Sequence, residues 1–323
     1  MIDDPRILLD AGSSGEHGWS TSSQILRCAR RFRLRRAGYV GRSREPLIKG
    51  SLVHIGAAQY YAALQATQQG WEGNAWDTVA QCWVDGAGQP AQPGPGAYYT
   101  PSEAIALVGE RNGPQWQEHV ALAQNAVRAY QRRMAIYPEH VVAVEHLVEM
   151  AVPTTFGNSI GAGNPMSAHI IECLPSPIIH SMRIDLILRT PDGRYLVRDH
   201  KTSSMHKAAS TMPFDLSGQV IALTWWGQKV YGEAFAGVEI GQINLSNGRV
   251  EFQRPKFAPH AVAEWPKMRT WIEVQKVMAT SLYGDGLDWP MALSDQGPCL
   301  DRYGPCGFRD SCRLGLSTEK ELG

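Results

Sequence analysis

The sequence predicts an α/β fold in which helices flank a central mixed β-sheet. Two short strands, 182–189 and 195–201, enclose a turn and are apolar on both faces, as is typical of strands covered by helices on each side. Segments with helical periodicity or capping residues lie before and after this hairpin. The 323 residues, 43% of them hydrophobic, are enough for a sizeable core.

The N-terminal region, residues 1–140, is expected to be helical. The Ser-Thr-Ser-Ser segment offers N-caps for a helix over 24–36. A second helix is expected over 47–68, because apolar positions recur along it and a glycine lies just past its end. Gly and Pro residues make 86–101 a loop, and a long helix is expected over 102–134.

The next region, residues 141–255, is expected to contain the sheet. Val, Ala and Leu favour a strand over 141–150, and Gly, Asn, Ser and Pro indicate an extended loop or broken strand over 153–180. After the hairpin, a helix is expected over 216–231 and a strand over 237–245.

The C-terminal region, residues 256–323, begins with an amphipathic helix over 258–282. Its apolar positions recur at helical spacing and are expected to face the core: Trp265, Met268, Trp271, Val274 and Met278. Pro266 is expected to kink this helix or to mark its start. We expect the three regions to form one integrated domain.

Composition excludes several classes of protein. No apolar run approaches the ~20 residues needed to cross a bilayer, and the N-terminus has no basic segment followed by an apolar one. We therefore expect no membrane partner and a cytoplasmic location. No G-x-x-x-x-G-K-[ST] motif is present, so no ATP motor is expected in the chain.

The hairpin carries the residues of greatest chemical interest. Its turn fits a three-residue loop with Gly193 in the left-handed conformation, so that Thr190 pairs with Arg194. The same register places Asp185 opposite Asp199. A two-residue loop would put these two carboxylates on opposite faces of the sheet.

Two carboxylates directly opposite one another on neighbouring strands destabilise a fold unless one is protonated or a cation lies between them. Lys201, two residues beyond Asp199, lies on the same face and diagonal to Asp185. Two carboxylates and an ammonium group at a strand end can bind a hard divalent cation and hold a water molecule beside it. The alternative is a surface hairpin whose charges merely pair.

Six cysteines occur, at positions 28, 82, 173, 299, 306 and 312. In a cytoplasmic chain they are not expected to form disulfides, and three within the last 25 residues indicate a metal or cluster site. Cys82 and Cys173 show no such pattern and are expected to be small buried hydrophobic residues.

The hairpin resembles the core of the PD-(D/E)XK nucleases, here Asp185 followed by Asp199-His200-Lys201. Further motifs occur in the expected order. Gly50 to His54 is similar to the helical Gly-x-x-x-His motif of RecB-like nucleases, although several spacers have atypical lengths. The resemblance implies a restriction-endonuclease-like core within residues 141–255.

Two later motifs also resemble this family but depart from it in detail. Gln219 matches the glutamine of the next motif, whose usual tyrosine is replaced by Leu223. Cys28 and the three C-terminal cysteines match the layout of the iron–sulfur members, which include the AddB nuclease domain and CRISPR-associated RecB-like exonucleases. The gap from Cys299 to Cys306 is six residues rather than two, whereas the gap to Cys312 keeps five.

The resemblance implies a role for each site residue. A Mg²⁺ or Mn²⁺ ion would take ligands from His54, Asp185, Asp199 and the His200 carbonyl. Lys201 would orient or deprotonate the attacking water, and Gln219 would position Lys201 or the water. From its helix position alone, His54 would more often be a satisfied core residue, and only the order of the motifs favours a metal ligand.

The resemblance also implies an iron–sulfur cluster, of the 4Fe–4S type, held by Cys28, Cys299, Cys306 and Cys312. Cysteine spacing alone leaves a structural Zn²⁺ in a Cys₄ site as the alternative. Either group would join the N-terminal and C-terminal segments and would be structural, because it closes a very long loop.

DNA is the expected partner. Eight arginines and no acidic residue occur between positions 27 and 44, and such a run either binds phosphates or forms a solvated helix face. The candidates for contacting DNA are Arg27, Arg30, Arg31 and Arg35.

The function expected from the resemblance is that of a DNA exonuclease acting on ends or single strands, leaving a 5′-phosphate and a 3′-hydroxyl. It would belong to a phage or to a bacterial recombination or defence system, with a helicase or recombination partner. A non-catalytic DNA-end-binding protein and a structure-specific endonuclease are the alternatives.

Overall fold

The fold is described from a computed structural model. It describes residues 15–39, 45–68, 75–77, 82–84, 99–134, 140–154, 165–203, 214, 217–245, 248–287, 289–290, 300–301, 304–306, 308 and 312. The chain divides into two compact units. Unit 1 contains the described parts of Glu45–His146 and Arg183–Phe257, and unit 2 contains those of Ser14–Arg44, Leu147–Met182 and Ala258–Gly323.

Nine α-helices lie in the described part of the chain: α1 (Trp19–Ser22), α2 (Ala29–Arg36), α3 (Glu45–Gln68), α4 (Pro101–Arg111), α5 (Pro114–Gln117), α6 (Val120–Met134), α7 (Pro165–Cys173), α8 (Gly218–Tyr231) and α9 (Pro259–Tyr283). The strands described are β1 (Ala75–Asp77), β2 (Cys82–Val84), β3 (His140–Val152), β4 (Ile178–Arg189), β5 (Tyr195–Ser203), β6 (Phe235–Asn244), β7 (Val250–Gln253), β8 (Leu300–Asp301) and β9 (Gly304–Pro305). None of these helices combines the length and the apolarity needed to span a membrane.

Five strands form one mixed sheet in the order β3-β4-β5-β6-β7. The β4–β5 and β6–β7 pairs are antiparallel, and β5 runs parallel to β6. Helices of unit 1 cover this sheet, so the predicted α/β class with a mixed sheet flanked by helices is confirmed. β7 follows β6 after a short connection and was not predicted.

In unit 1, different helices pack against the two faces of the sheet. Leu196 of β5 and Ile243 of β6 belong to a buried cluster with residues of α3, α4 and α6. Side chains alternate between faces along a strand, so Asp199 and Lys201 project to the opposite face. Gln219 of α8 contacts both of them there.

Three predicted segments differ from the structure. The helix expected over 102–134 is broken into α4, α5 and α6, because Gly113 has a φ of +88° and Pro114 follows it. The helix expected over 24–36 is interrupted before α2, where Cys28 is extended. The segment 153–180, expected to be an extended loop or a broken strand, contains α7 in its described part.

The predicted apolar stripe of α9 is only partly correct. Trp265 and Val274 are buried, whereas Met268 is 46% exposed and Trp271 is 51% exposed. Pro266 does not mark the start of the helix, which begins at Pro259.

The buried face of α9 instead carries charged residues that a hydrophobic pattern cannot detect. The Arg269 side chain is fully buried, donates to the carbonyl of Ile179 at 2.8 Å and pairs with Glu273. Lys276 contacts the same carboxylate at 2.8 Å. Buried charges are tolerated when they are paired in this way.

Candidate active site

The β4–β5 hairpin has the predicted register. Leu186 pairs with Arg198, and the Thr190 N–H donates to the Arg194 carbonyl at 2.8 Å. Gly193 has a φ of +85°, as a three-residue loop requires. This part of the sequence-based prediction is confirmed.

Strand pairing stops one position before the two aspartates. The last residues paired between β4 and β5 are Leu186 and Arg198. Beyond them, Asp185 Oδ2 accepts the backbone N–H of His200 at 2.7 Å. The strands therefore separate where the acidic residues begin, and a side chain takes the place of a ladder hydrogen bond.

Asp199, Lys201 and Gln219 form a closed set of contacts. Lys201 Nζ lies 2.7 Å from Asp199 Oδ2, and Gln219 Nε2 donates to Asp199 Oδ1 at 3.0 Å. Lys201 Nζ also donates to Gln219 Oε1 at 3.3 Å. The Asp199 side chain is buried, whereas that of Lys201 is about one-third exposed, at 31%. The lysine can therefore reach solvent while its position is fixed.

A second group of side chains fits a metal ion. One ligand atom from each of His54, Glu145 and Asp185 lies within 4.8 Å of the others, and His54 Nδ1 is 3.5 Å from Asp185 Oδ2. Two carboxylates and an imidazole suit Mn²⁺, and the oxygen donors suit Mg²⁺. His54 thus lies beside Asp185, whereas the carboxylate of Asp199 is held by Lys201 and Gln219.

The electrostatics of this group disfavour two ionised carboxylates when no cation is bound. Burial and, to a lesser extent, the nearby Asp185 together raise the pKa of Glu145 to about 9, although Arg183 opposes the shift. Burial also raises the pKa of Asp185, and Asp199 adds to this effect, whereas His54 opposes it. Both carboxyl groups therefore bind a proton more readily than usual in the metal-free protein. A bound cation would instead favour their ionised forms.

Glu145 is the site residue that the sequence analysis missed. It lies in β3, where the apolar character of 141–150 predicted only a strand. An acidic residue inside such a strand is only weak evidence of a functional role. The backbone gives stronger evidence, because Glu145 has a φ of +47° and strained non-glycine residues cluster at functional sites.

The His200 ring is buried on the face of β5 that carries Leu196 and packs against α6, opposite to the face of Asp199 and Lys201. Its Nε2 lies 2.8 Å from the Tyr130 hydroxyl, and its Nδ1 lies 3.7 Å from Asp185 Oδ2. Burial, with further contributions from His54 and Arg198, lowers the pKa of His200 well below its usual value. The ring is therefore neutral at physiological pH.

Gly50 of α3 allows this helix to approach the end of β5. A Cβ atom at this position would lie 3.1 Å from Thr202 Oγ1, next to Lys201. We expect Gly50→Ala to reduce cleavage about tenfold without lowering the melting temperature, since alanine favours the helix while the displaced turn carries His54. Paired kinetic and melting measurements, with Ser51→Ala as the control, check this. Equal cleavage by Gly50→Ala and wild type would contradict it.

Of the four cysteines predicted to hold a cluster, three lie within the described residues. Cys28, Cys306 and Cys312 are half-buried in unit 2, whereas Cys299 lies outside the described residues. Cys173 is exposed, with its Sγ 3.6 Å from His169 Nδ1, so the prediction that it is buried is wrong. Cys173 is the last residue of α7, within the segment that is expected from the sequence to be an extended loop or a broken strand. Nothing is described of the Cys82 side chain.

The predicted DNA-contacting arginines differ in exposure. Arg27 and Arg35 are exposed, and Arg30 and Arg31 are half-buried. Two further arginines of α2 have structural contacts: Arg33 binds the carbonyl of Gly286 at 3.1 Å, and Arg36 pairs with Glu16 at 3.1 Å.

A mixed sheet that carries a lysine–carboxylate pair beside a group of side chains able to hold a metal ion is the arrangement expected of a metal-dependent nuclease. The chain belongs to the PD-(D/E)XK nuclease superfamily, whose family model matches residues 19–313. No curated protein matches the sequence significantly.

Proposed function

We propose that the protein is a DNA exonuclease of the RecB-like iron–sulfur branch of this superfamily, acting on ends or single strands. It would leave a 5′-phosphate and a 3′-hydroxyl. The observation that carries this proposal is the arrangement of Asp199, Lys201 and Gln219 next to the group formed by His54, Glu145 and Asp185.

The residues divide into two sets by what they can do. His54, Glu145 and Asp185 would hold Mg²⁺ or Mn²⁺, with Asp199 and the His200 carbonyl as further candidates. When bound, the cation would neutralise phosphate charge and activate water. Lys201 would orient or deprotonate the attacking water and stabilise the charge that develops on the phosphate.

Gln219 is well placed to fix the geometry of this step. Its amide bridges Asp199 and Lys201, donating to the first and accepting from the second. The ammonium group of Lys201 is thereby held between two acceptors and keeps a defined direction. We propose that Gln219 positions Lys201 rather than contacting DNA.

The decisive experiment compares circular single-stranded DNA with linear single-stranded and double-stranded DNA in Mg²⁺ or Mn²⁺. Cleavage of linear DNA alone supports the exonuclease. Cleavage of circles would instead indicate a structure-specific endonuclease. DNA-end binding without any cleavage would indicate the non-catalytic alternative.

We also propose that Cys28, Cys299, Cys306 and Cys312 hold a 4Fe–4S cluster. One contact fixes the position of Cys28: its Sγ caps α2 and accepts the backbone N–H of Arg31 at 3.5 Å. The cluster would be structural, and Zn²⁺ is the alternative occupant.

Protein purified without oxygen is expected to be brown, with broad absorbance near roughly 400 nm. Cys306→Ser should lose this colour and lower the melting temperature, because the cross-link is broken. Cys173→Ser, at an exposed cysteine outside the proposed site, should keep both. A colourless preparation that contains zinc would contradict the cluster and support the alternative.

We propose that DNA is bound with the help of Arg27, Arg30, Arg31 and Arg35, with a helicase or recombination partner supplying unwound strands. The arginine run is the support for this part of the proposal.

A further inference from the structure

A chain of buried polar side chains leads away from Asp185 on the side of β5 that faces α3 and α6. The Tyr130 hydroxyl lies 2.8 Å from His200 Nε2 and 2.7 Å from the Tyr61 hydroxyl. Arg198 Nη1 donates to the Tyr61 hydroxyl at 3.0 Å. The exposed fractions of Tyr61, Tyr130, Arg198 and His200 are all between 0% and 4%.

The far end of this chain is fixed by ion pairs. Arg198 Nε and Nη2 donate to Glu239 Oε1 at 2.9 and 2.7 Å, and Arg254 Nε donates to Glu239 Oε2 at 3.1 Å. The guanidinium of Arg198 also lies over the Phe252 ring, 4.4 Å from its centroid. Arg198 therefore has little freedom to turn away from Tyr61.

The order of protons along the chain follows from chemistry. A guanidinium can only donate, so Tyr61 accepts from Arg198 and has its own proton to give to Tyr130. Tyr130 then has its proton to give to His200 Nε2. A neutral imidazole with an accepting Nε2 carries its proton on Nδ1, which is the nitrogen that faces Asp185.

The reverse order is less favourable. If Nε2 of His200 donated to Tyr130, the lone pair of Nδ1 would face Asp185 Oδ2 at 3.7 Å. This oxygen already accepts the backbone N–H of His200, so it presents a lone pair even when the other oxygen of the carboxyl group carries a proton. In the first order, an N–H faces that carboxylate instead. His200 then presents two N–H groups to Asp185: the ring Nδ1–H, and the backbone N–H, which donates to Asp185 Oδ2 at 2.7 Å.

We propose that Tyr130 and Tyr61 are positioning residues for the cation site. They hold His200 as the Nδ1–H tautomer and thereby fix the direction of the Asp185 carboxylate. This inference rests on the proposed function of Asp185 as a cation ligand. Residues that orient a ligand in this way typically change metal affinity or activity by about 10- to 100-fold when they are replaced.

The test uses the full-length protein and two measurements that need no DNA. Ring ¹⁵N spectra of the metal-free protein report the tautomer of His200, assigned by comparison with His200→Gln. Calorimetric titration with Mn²⁺ alone reports the affinity of the site. Wild type should show the Nδ1–H tautomer at His200.

Tyr130→Phe should convert His200 partly to the Nε2–H tautomer and weaken Mn²⁺ binding by about tenfold. Tyr61→Phe, one link further away, should shift both in the same direction by less. Tyr195→Phe removes a hydroxyl at the opposite end of β5 and should change neither. If Tyr130→Phe does not fold, Tyr61→Phe decides.

The outcomes separate the two proposals. An Nε2–H tautomer in wild type, or unchanged Mn²⁺ affinity in folded Tyr130→Phe, overturns the positioning role alone. A lower melting temperature with unchanged tautomer and affinity would show a merely structural role and overturns it too. Wild type that binds no Mn²⁺ overturns the proposed function and this inference together.

Discussion

Lys201→Ala should reduce DNA cleavage by about 10²- to 10⁴-fold while leaving DNA binding largely intact. The size of the effect follows from the loss of a group that transfers or orients a proton at the reacting phosphate. Binding should survive because one partly exposed lysine contributes little to contact along a DNA backbone. Cleavage rates at saturating DNA, measured beside a binding assay, separate the two effects.

Asp199→Ala should lose cleavage as well, because it removes the carboxylate that holds Lys201 at 2.7 Å. Lys229→Ala is the matched control, since Lys229 is an exposed lysine of α8. Undiminished cleavage by Lys201→Ala or Asp199→Ala would refute the assigned site.

The second large effect concerns the stability of the metal-free protein. Glu145 has a pKa raised to about 9 in the folded protein, against 4.5 for an ordinary glutamate. A carboxyl group with a raised folded-state pKa binds a proton more tightly when folded. Its contribution to stability is therefore complete below pH 4.5 and is lost as the pH rises towards 9. The metal-free protein should melt at lower temperature as the pH rises through this window.

Mn²⁺ or Mg²⁺ should offset this loss. Metal binding displaces the proton from Glu145, so the increase in melting temperature at saturating Mn²⁺ should be larger near pH 8.5 than near pH 6. Glu145→Gln should weaken metal binding and reduce this pH dependence, leaving the part that comes from Asp185. Glu149→Gln alters an exposed carboxylate of the same strand and should leave both unchanged. An equal increase at the two pH values would contradict the assignment of Glu145.

The sequence predicted the parts of the site that depend on local spacing. The turn length fixes the register of β4 and β5, and alternation along β5 places Lys201 with Asp199, so these relations follow from a few neighbouring residues. Gln219 follows soon after in the chain. Its contacts with Lys201 and Asp199 are those that the proposed positioning role requires.

The sequence could not predict relations that depend on distant packing. Glu145 joins the site from β3, about 40 residues before Asp185, and its left-handed backbone has no sequence signature. The buried face of α9 is set by ion pairs between Arg269, Glu273 and Lys276, which mimic a polar surface in a hydrophobic pattern. The boundaries predicted for the three regions remain predictions.

The break at Gly113 and Pro114 has a consequence for the chemistry far from it. An uninterrupted helix over 102–134 would be about 50 Å long, and only one part of it could lie along α3. Because the chain turns back instead, α4 and α6 both contact α3. That reversal brings Tyr130 within reach of Tyr61 and His200. Gly113 and Pro114, which have no polar side chain, thus allow His200, next to the proposed catalytic Lys201, to have a buried hydrogen-bond partner.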